Sequence, residues 1–280
     1  SEPLKSFTPG FVRTRSGMTR HFAVLGAPIS HSKSPAIHNA AFLASGAVAD
    51  YIAIEVAGNL SGFIAEQSDR FSGFSITMPL KQEALNFADR ADSLAIATGA
   101  ANTLVRTESG WDAYNTDVFG IQQALAGLRF KTASVIGTGA TAKSAIVAMQ
   151  QLDKQVSLWG RNAAAVKQLC AEFDVTAQPH FHKACDADLV ISTLPPRALD
   201  EHLVTLKSTP RGMLLDVAYN PWPSEAAKVW GEARSISGVE MLIWQALGQQ
   251  RLFSGNGLDE PLPKEKELLT AVRHALNMAK

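Results

Sequence analysis

"KTASVIGTGATAKSAIVAMQ", residues 131–150, is an apolar strand pattern that runs straight into a glycine turn and then into a helical pattern. Gly137, Gly139 and Ala142 stand at G-x-G-x-x-A spacing. Each small residue has a physical task in such a turn. Gly137 permits the tight corner, Gly139 lets the backbone approach a pyrophosphate, and Ala142 allows the helix to pack closely on the strand. The helix N-terminus then presents free N–H groups to the phosphates.

Downstream of this stretch the strand–helix alternation continues, with "QVSLWG", "ADLVIST" and "GMLLDVAY" as further strands. This series predicts a Rossmann-type dinucleotide-binding domain over residues 119–244. The end of the second strand indicates the dinucleotide. An NAD site carries Asp or Glu there for the ribose 2′-hydroxyl. Here the chain reads "LWGRN", with Arg161 and no carboxylate. A guanidinium can fork onto a 2′-phosphate, which favours NADP over NAD. The plainer alternative is a surface arginine on a loop.

Upstream, "HFAVLGAPIS" (21–30) reads as a strand, and "SPAIHNAAFLASG" (34–46) as a helix with Ser34 at its N-cap, Pro35 in its first turn and Gly46 closing it. "DYIAIEV" and "FSGFSIT" are further strands around a helical "NLSGFIAEQSD", and "ANTLVRT" and "GWDAY" flank a hairpin-like "ESG". "GVEMLIWQALGQQRLFSG" and "KEKELLTAVRHALNMA" are helical by periodicity. The predicted fold is α/β with two domains. Residues 21–118, completed by helices over 245–280, form a substrate domain, and the dinucleotide-binding domain lies between. Residues 1–20 are polar and lack the apolar core of a secretory signal. They read as a loose extension, with Met18 as a candidate start.

The chain has 280 residues, with 26 basic and 26 acidic side chains. Zero net charge argues against a dedicated nucleic-acid or membrane-surface binder. Two cysteines cannot build a disulfide framework, so a reducing cytoplasm is the simpler expectation. The expected partner is a small-molecule substrate, bound by a monomer or homodimer. "HFHKAC" (180–185) spaces two histidines and a cysteine like metal ligands, but a zinc site needs further ligands nearby. It reads as a polar loop. His38 reads as a packing residue, and Trp222 and Trp244 as core or cleft wall.

"GFSITMPLKQEAL" (73–85) places Lys81 just past a proline corner. Asp117, in "YNTD", is its best candidate partner. At about 4 Å such a carboxylate would favour the ammonium by roughly 4 kcal/mol of gross Coulomb energy at an effective dielectric of 20, while desolvation would push the lysine pKa the other way, and the sequence does not decide between them. Taken singly, Lys81 can equally be a solvated charge, and Asp117 and Ser34 simple N-caps.

Taken together, "PISHSKSP" (28–35), "ITMPLK" (76–81), "GAANTL" (99–104), "NTDVFG" (115–120) and "GVEMLIWQ" (238–245) resemble the shikimate dehydrogenase family, in that family's order. The resemblance implies NADP-dependent interconversion of 3-dehydroshikimate and shikimate, with Lys81 and Asp117 as the catalytic pair. It implies Ser32 and Ser34 on the substrate carboxylate, and Thr77, Asn102, Tyr219 and Gln245 on the rest of the substrate. It places Gly137, Thr138, Gly139, Ala140 and Thr141 on the phosphates, Arg161 on the 2′-phosphate, and Thr193, Val217 and Gly238 along the cofactor. The chain departs from the family pattern at Ser75 (usually Asn), Ala140 (usually Gly), Gly160 and Asn162 (usually Asn and Thr) and in "ISTLPP". These departures admit a relative that uses quinate or NAD, or a catalytically weak paralogue acting as a ligand sensor.

Overall fold

The computed structural model describes residues 19–67 and 69–278. The extension through residue 18 lies outside the described residues. Arg20, expected within that extension, belongs instead to the first strand, because its N–H bonds Val48 O and its guanidinium bonds Phe253 O at 2.7 Å.

The chain packs as two compact units, one running to Thr116 and resuming from Gln245, the other Asp117–Trp244. In the first, the elements are β1 (Arg20–Gly26), α1 (Ser34–Ser45), β2 (Ala49–Glu55), α2 (Leu60–Gln67), β3 (Gly73–Ile76), α3 (Lys81–Phe87), β4 (Arg90–Ala91), α4 (Ser93–Thr98), β5 (Thr103–Thr107) and β6 (Gly110–Tyr114). Helix α5 (Thr116–Ala124) opens at the border.

The first sheet has the order β2-β1-β3-β5-β6-β4. β1, β2 and β3 are parallel, as their strand–helix alternation requires, whereas β5 is antiparallel to both β3 and β6. Central β3 is buried at every position, while edge strand β2 exposes several side chains. Leu25, Phe74, Leu104 and Trp111 fill one apolar cluster, and Phe22, Phe42, Tyr51 and Phe253 another. Burying one such aromatic side chain is worth about 1.5–3 kcal/mol.

The second unit continues with β7 (Thr132–Ile136), α6 (Ala140–Gln151), β8 (Gln155–Trp159), α7 (Ala163–Phe173), β9 (Thr176–Ala177), α8 (Phe181–Ala184), β10 (Leu189–Ser192), α9 (Asp200–Leu203), β11 (Met213–Asp216), α10 (Glu225–Trp230) and β12 (Ser235–Ser237). Its sheet is parallel throughout, in the order β12-β11-β10-β7-β8-β9. Read from the other edge this is the doubly wound order that binds dinucleotides at the carboxyl end of its first strand. Helix α11 (Gly238–Phe253) and helix α12 (Glu265–Met278) complete the chain, and α12 packs on α1.

Three local expectations change. Ser34 is the first residue of α1, Lys33 holds the cap position, and no side chain caps the helix. The Ser34 hydroxyl meets Tyr51 instead. "HFHKAC" forms the short helix α8, because Phe181 and Cys185 turn into the core while the histidine rings stay outside. Trp222 is exposed and so not a core residue, since it sits in the irregular segment between β11 and α10. Among the described residues, no group of three or more His, Cys, Asp or Glu could hold a metal, and no helix is long and apolar enough to cross a membrane.

Candidate active site

Parallel strands present their carboxyl ends on one side of a sheet, and an antiparallel strand beside them presents its start there. The register β3–β5 therefore sets Asn102, just before β5, beside Ile76 at the end of β3, with Ile76 N donating to Asn102 O at 2.7 Å. β1 ends on the same side. Ala27 N donates to Met78 O at 2.9 Å and Thr77 N to Leu25 O at 2.9 Å. Gly26 is needed there, because a Cβ would lie 2.3 Å from Thr77 Cγ2. The loop after β1 carries Ser32, whose Oγ accepts from Ser34 N at 3.3 Å. That bond uses an acceptor site and leaves the Ser32 proton available to donate to a carboxylate.

After β3 the chain turns through Thr77–Leu80, and Lys81 opens α3. Its carbonyl accepts from Ala101 N at 2.9 Å, which ties the lysine backbone to the loop before Asn102. Gly99 adopts a left-handed conformation (φ 63°) to start that loop, and Asn115 Nδ2 clamps it through Thr98 Oγ1 and Ala100 O.

Asn102 is 2% exposed and fully engaged. Its Nδ2 donates to Thr116 Oγ1 (2.9 Å) and Gln245 Oε1 (3.3 Å), while its Oδ1 accepts from Thr116 N (2.8 Å) and Thr103 Oγ1 (2.8 Å). Thr116 thus fixes the start of α5, and buried Asp117 is the next residue, in the first turn of that helix rather than at its cap. Within this unit the structure brings together Ser32, Ser34, Thr77, Lys81 and Asn102 at one end of the sheet, with Gln245 bonded to Asn102.

Behind these residues lies a polar network with no place in the sequence reading. Gln249 Nε2 donates to Asn102 O (3.1 Å) and Thr103 Oγ1 (3.0 Å). A carbonyl only accepts, so this orients the amide and turns Oε1 toward Ser75 Oγ (2.8 Å) and His38 Nε2 (3.1 Å). His38 must then carry its proton on Nε2, and Nδ1 accepts from Gln250 Nε2 at 2.7 Å. Burial pushes His38 down to about 3, with the Gln249 bond opposing, so the ring is neutral. It stacks on Tyr51 at 4.2 Å, and the Tyr51 hydroxyl donates to Ser75 Oγ at 2.6 Å and meets Ser34. Burial raises the Tyr51 pKa, with its bonds to Ser75 and Ser34 opposing. Ser75 is therefore a partnered link between Tyr51 and Gln249. The signal for Gln249 was present in the sequence: Gln245 and Gln249 are four apart on a helix and share a face.

In the second unit, Gly137 has φ 120°, a region that favours glycine, and a Cβ there would lie 2.3 Å from Thr193 Oγ1. Thr193 holds this corner through its N and Oγ1, both donating to Ile136 O at 2.9 Å. Gly139 caps α6 with no side-chain hydrogen bond and has open space around its Cα. Thr138, Ala140 and Thr141 are half-buried around that helix start, and Ala142 is fully buried as close packing requires. The free helix N-terminus, the glycine corner and the strand order fit a dinucleotide pyrophosphate. Arg161 follows β8 and pairs with Glu201 at 3.3 Å. Val217 and Gly238 are in direct backbone contact, since a Cβ on Gly238 would lie 2.1 Å from Val217 O. Tyr219 lies half-buried in the segment after β11, where burial raises its pKa. Ser224 anchors that segment, its Oγ donating to Asp216 Oδ2 at 2.7 Å.

Two family models match in this order. Residues 24–104 match the shikimate dehydrogenase substrate binding domain, and residues 132–220 match NADP oxidoreductase, coenzyme F420-dependent. The NADP(+) shikimate dehydrogenase of Ignicoccus hospitalis is 30% identical over 250 residues, covering 84% of this chain and 93% of that protein. The chain belongs to the shikimate dehydrogenase family. The family member from Methanosarcina acetivorans is 33% identical over 264 residues, covering 85% of this chain and 94% of its own. The crystal structure of Mycobacterium tuberculosis shikimate dehydrogenase superposes with a TM-score of 0.81 at 35% identity, covering 93% of this chain and all (100%) of that one. The Thermus thermophilus enzyme in complex with NADP(H) and shikimate gives 0.80 at 30% identity, covering 91% and 99%. The fold is thus the family's α/β fold, an N-terminal substrate domain with a Rossmann-type domain.

Proposed function

We propose that this protein is an NADP-dependent shikimate dehydrogenase that interconverts 3-dehydroshikimate and shikimate, working as a monomer or homodimer in a reducing, cytoplasmic compartment. One observation supports the substrate assignment most strongly. The ends of β1 and β3 and the start of β5 gather two serines, a threonine, a lysine and an asparagine at one end of a sheet, a donor-rich surface suited to a polyhydroxylated acid. A site that hydrogen-bonds hydroxyls discriminates strongly, because an analogue lacking one leaves buried polar groups unpaired.

In this reading Ser32 and Ser34 donate to the substrate carboxylate. Thr77, Tyr219 and Gln245 hold the hydroxyls and fix the ring, and Asn102 joins them by giving the substrate the Nδ2 proton that it donates to Gln245 Oε1 at 3.3 Å. NADPH supplies the hydride when bound, on the glycine turn Gly137–Thr141 with Arg161 at the 2′-phosphate and Thr193, Val217 and Gly238 along its length. Lys81 gives a proton to the carbonyl oxygen on reduction and takes it back on oxidation, with Asp117 as its catalytic partner.

The test crosses shikimate and quinate with NADP and NAD, in the wild type and in Lys81→Ala. Turnover should be highest with shikimate and NADP. Lys81→Ala should lower kcat by at least about a hundredfold with little change in shikimate affinity, because general acid–base groups contribute ~10²–10⁴-fold. Unchanged turnover in Lys81→Ala would remove its catalytic role, and a preference for quinate would move the substrate assignment.

A further inference from the structure

At the end of β8 the guanidinium proposed for the 2′-phosphate already faces an anion. Arg161 Nη1 lies 3.3 Å from Glu201 Oε1, and His202 Nε2 lies 3.4 Å from the same oxygen. The placement follows from packing. The His202 ring sits edge-on to Trp159 at 4.8 Å and against Phe181 at 5.5 Å, so α9 is fixed beside the strand whose next residues are Gly160 and Arg161. The Asn162 side-chain oxygen is committed to Ala164 N and Ala165 N at the start of α7. Arg161 and Glu201 are both well exposed, at 60% and 63%, so their pairing is exchangeable and screened by salt.

We propose that Glu201 is a determinant of cofactor preference, an internal carboxylate that competes with the NADP 2′-phosphate for Arg161. A 2′-phosphate that takes the guanidinium either displaces Glu201 or shares the arginine with it, and both leave that carboxylate beside two negative charges. A ribose 2′-hydroxyl meets no such repulsion and can donate to Glu201. The residue therefore narrows the gap between NADP and NAD. The inference rests on the assignment of Arg161 to the 2′-phosphate.

Calorimetric Kd values for NADP⁺ and NAD⁺ in the wild type, Glu201→Gln, Arg161→Ala and the double variant test it. Glu201→Gln should tighten NADP⁺ by about two- to fivefold, the scale of an exposed ion pair. NAD⁺ should stay the same or weaken, and the gain should vanish in the Arg161→Ala background and shrink at high salt. If Arg161→Ala weakens NADP⁺ while Glu201→Gln changes nothing, Glu201 is idle and the arginine assignment stands. Equal tightening of both cofactors also overturns the proposal, since it signals general charge rather than competition. If Arg161→Ala leaves NADP⁺ affinity unchanged, the arginine assignment falls and takes the proposal with it.

Discussion

Replacing Gln249 by leucine tests whether the buried network behind the candidate site holds it in place. The amide has four partners: Ser75 Oγ and His38 Nε2 on its oxygen, and Asn102 O and Thr103 Oγ1 on its nitrogen. They do not lose equally. Asn102 O keeps the bond from Ile76 N, Thr103 Oγ1 keeps its bond to Asn102 Oδ1, and Ser75 Oγ keeps the proton from Tyr51. Two buried donors lose their acceptor: His38 Nε2–H, in a ring that is 0% exposed, and the Ser75 hydroxyl, which donates to Gln249 Oε1. Each stranded buried donor costs about 1–3 kcal/mol. Leucine is close to glutamine in volume, so cavity formation adds little. The sum, about 2–6 kcal/mol, corresponds to a fall in Tm of roughly 5–15 °C. Urea unfolding of the wild type, Gln249→Leu, His38→Phe and the double variant measures it. The two side chains share one contact, so the double variant should be at least about 0.5 kcal/mol more stable than the summed single losses predict. Gln249→Leu within about 0.5 kcal/mol of the wild type, or strict additivity, would refute the hub.

Two further variants probe the two units separately. Burial raises Asp92 to about 6, against bonds from Ala95 N and Asn115 that lower it. The folded state therefore holds a proton that the unfolded state lacks between about pH 4 and 6, and the associated stability is lost as pH rises through that window. Asp92→Asn keeps the α4 cap without titrating, so its stability relative to the wild type should rise by about 1.4 kcal/mol per pH unit from pH 4 to 6; a difference independent of pH counts against the shift. In the other unit, Gly137→Ala forces a Cβ toward Thr193 Oγ1 at φ 120°. It should cost about 1–3 kcal/mol of strain and weaken NADP⁺ binding at least tenfold, while shikimate binding without cofactor stays as in the wild type. Equal loss of both ligands would place the damage elsewhere.

Local pattern fixed much of this protein. The glycine turn and its strand–helix setting specify a dinucleotide-binding unit because only small residues permit that corner and that approach. Alternation and periodicity located most strands and helices, and the ordered motifs pointed to the family. Short β4, β9 and β12 carried too few residues for a periodic signal. What the chain alone could not show is pairing between residues remote in sequence. The antiparallel register of β5 brings Asn102 to the ends of β1 and β3. Gln249 meets His38 across 211 positions, and Glu201 meets Arg161 across 40. Hydrogen bonds and ion pairs act over a few ångströms of space, so whether a glutamine is a surface group or a buried hub, and whether an arginine awaits a phosphate or already faces a carboxylate, is settled only by the folded backbone.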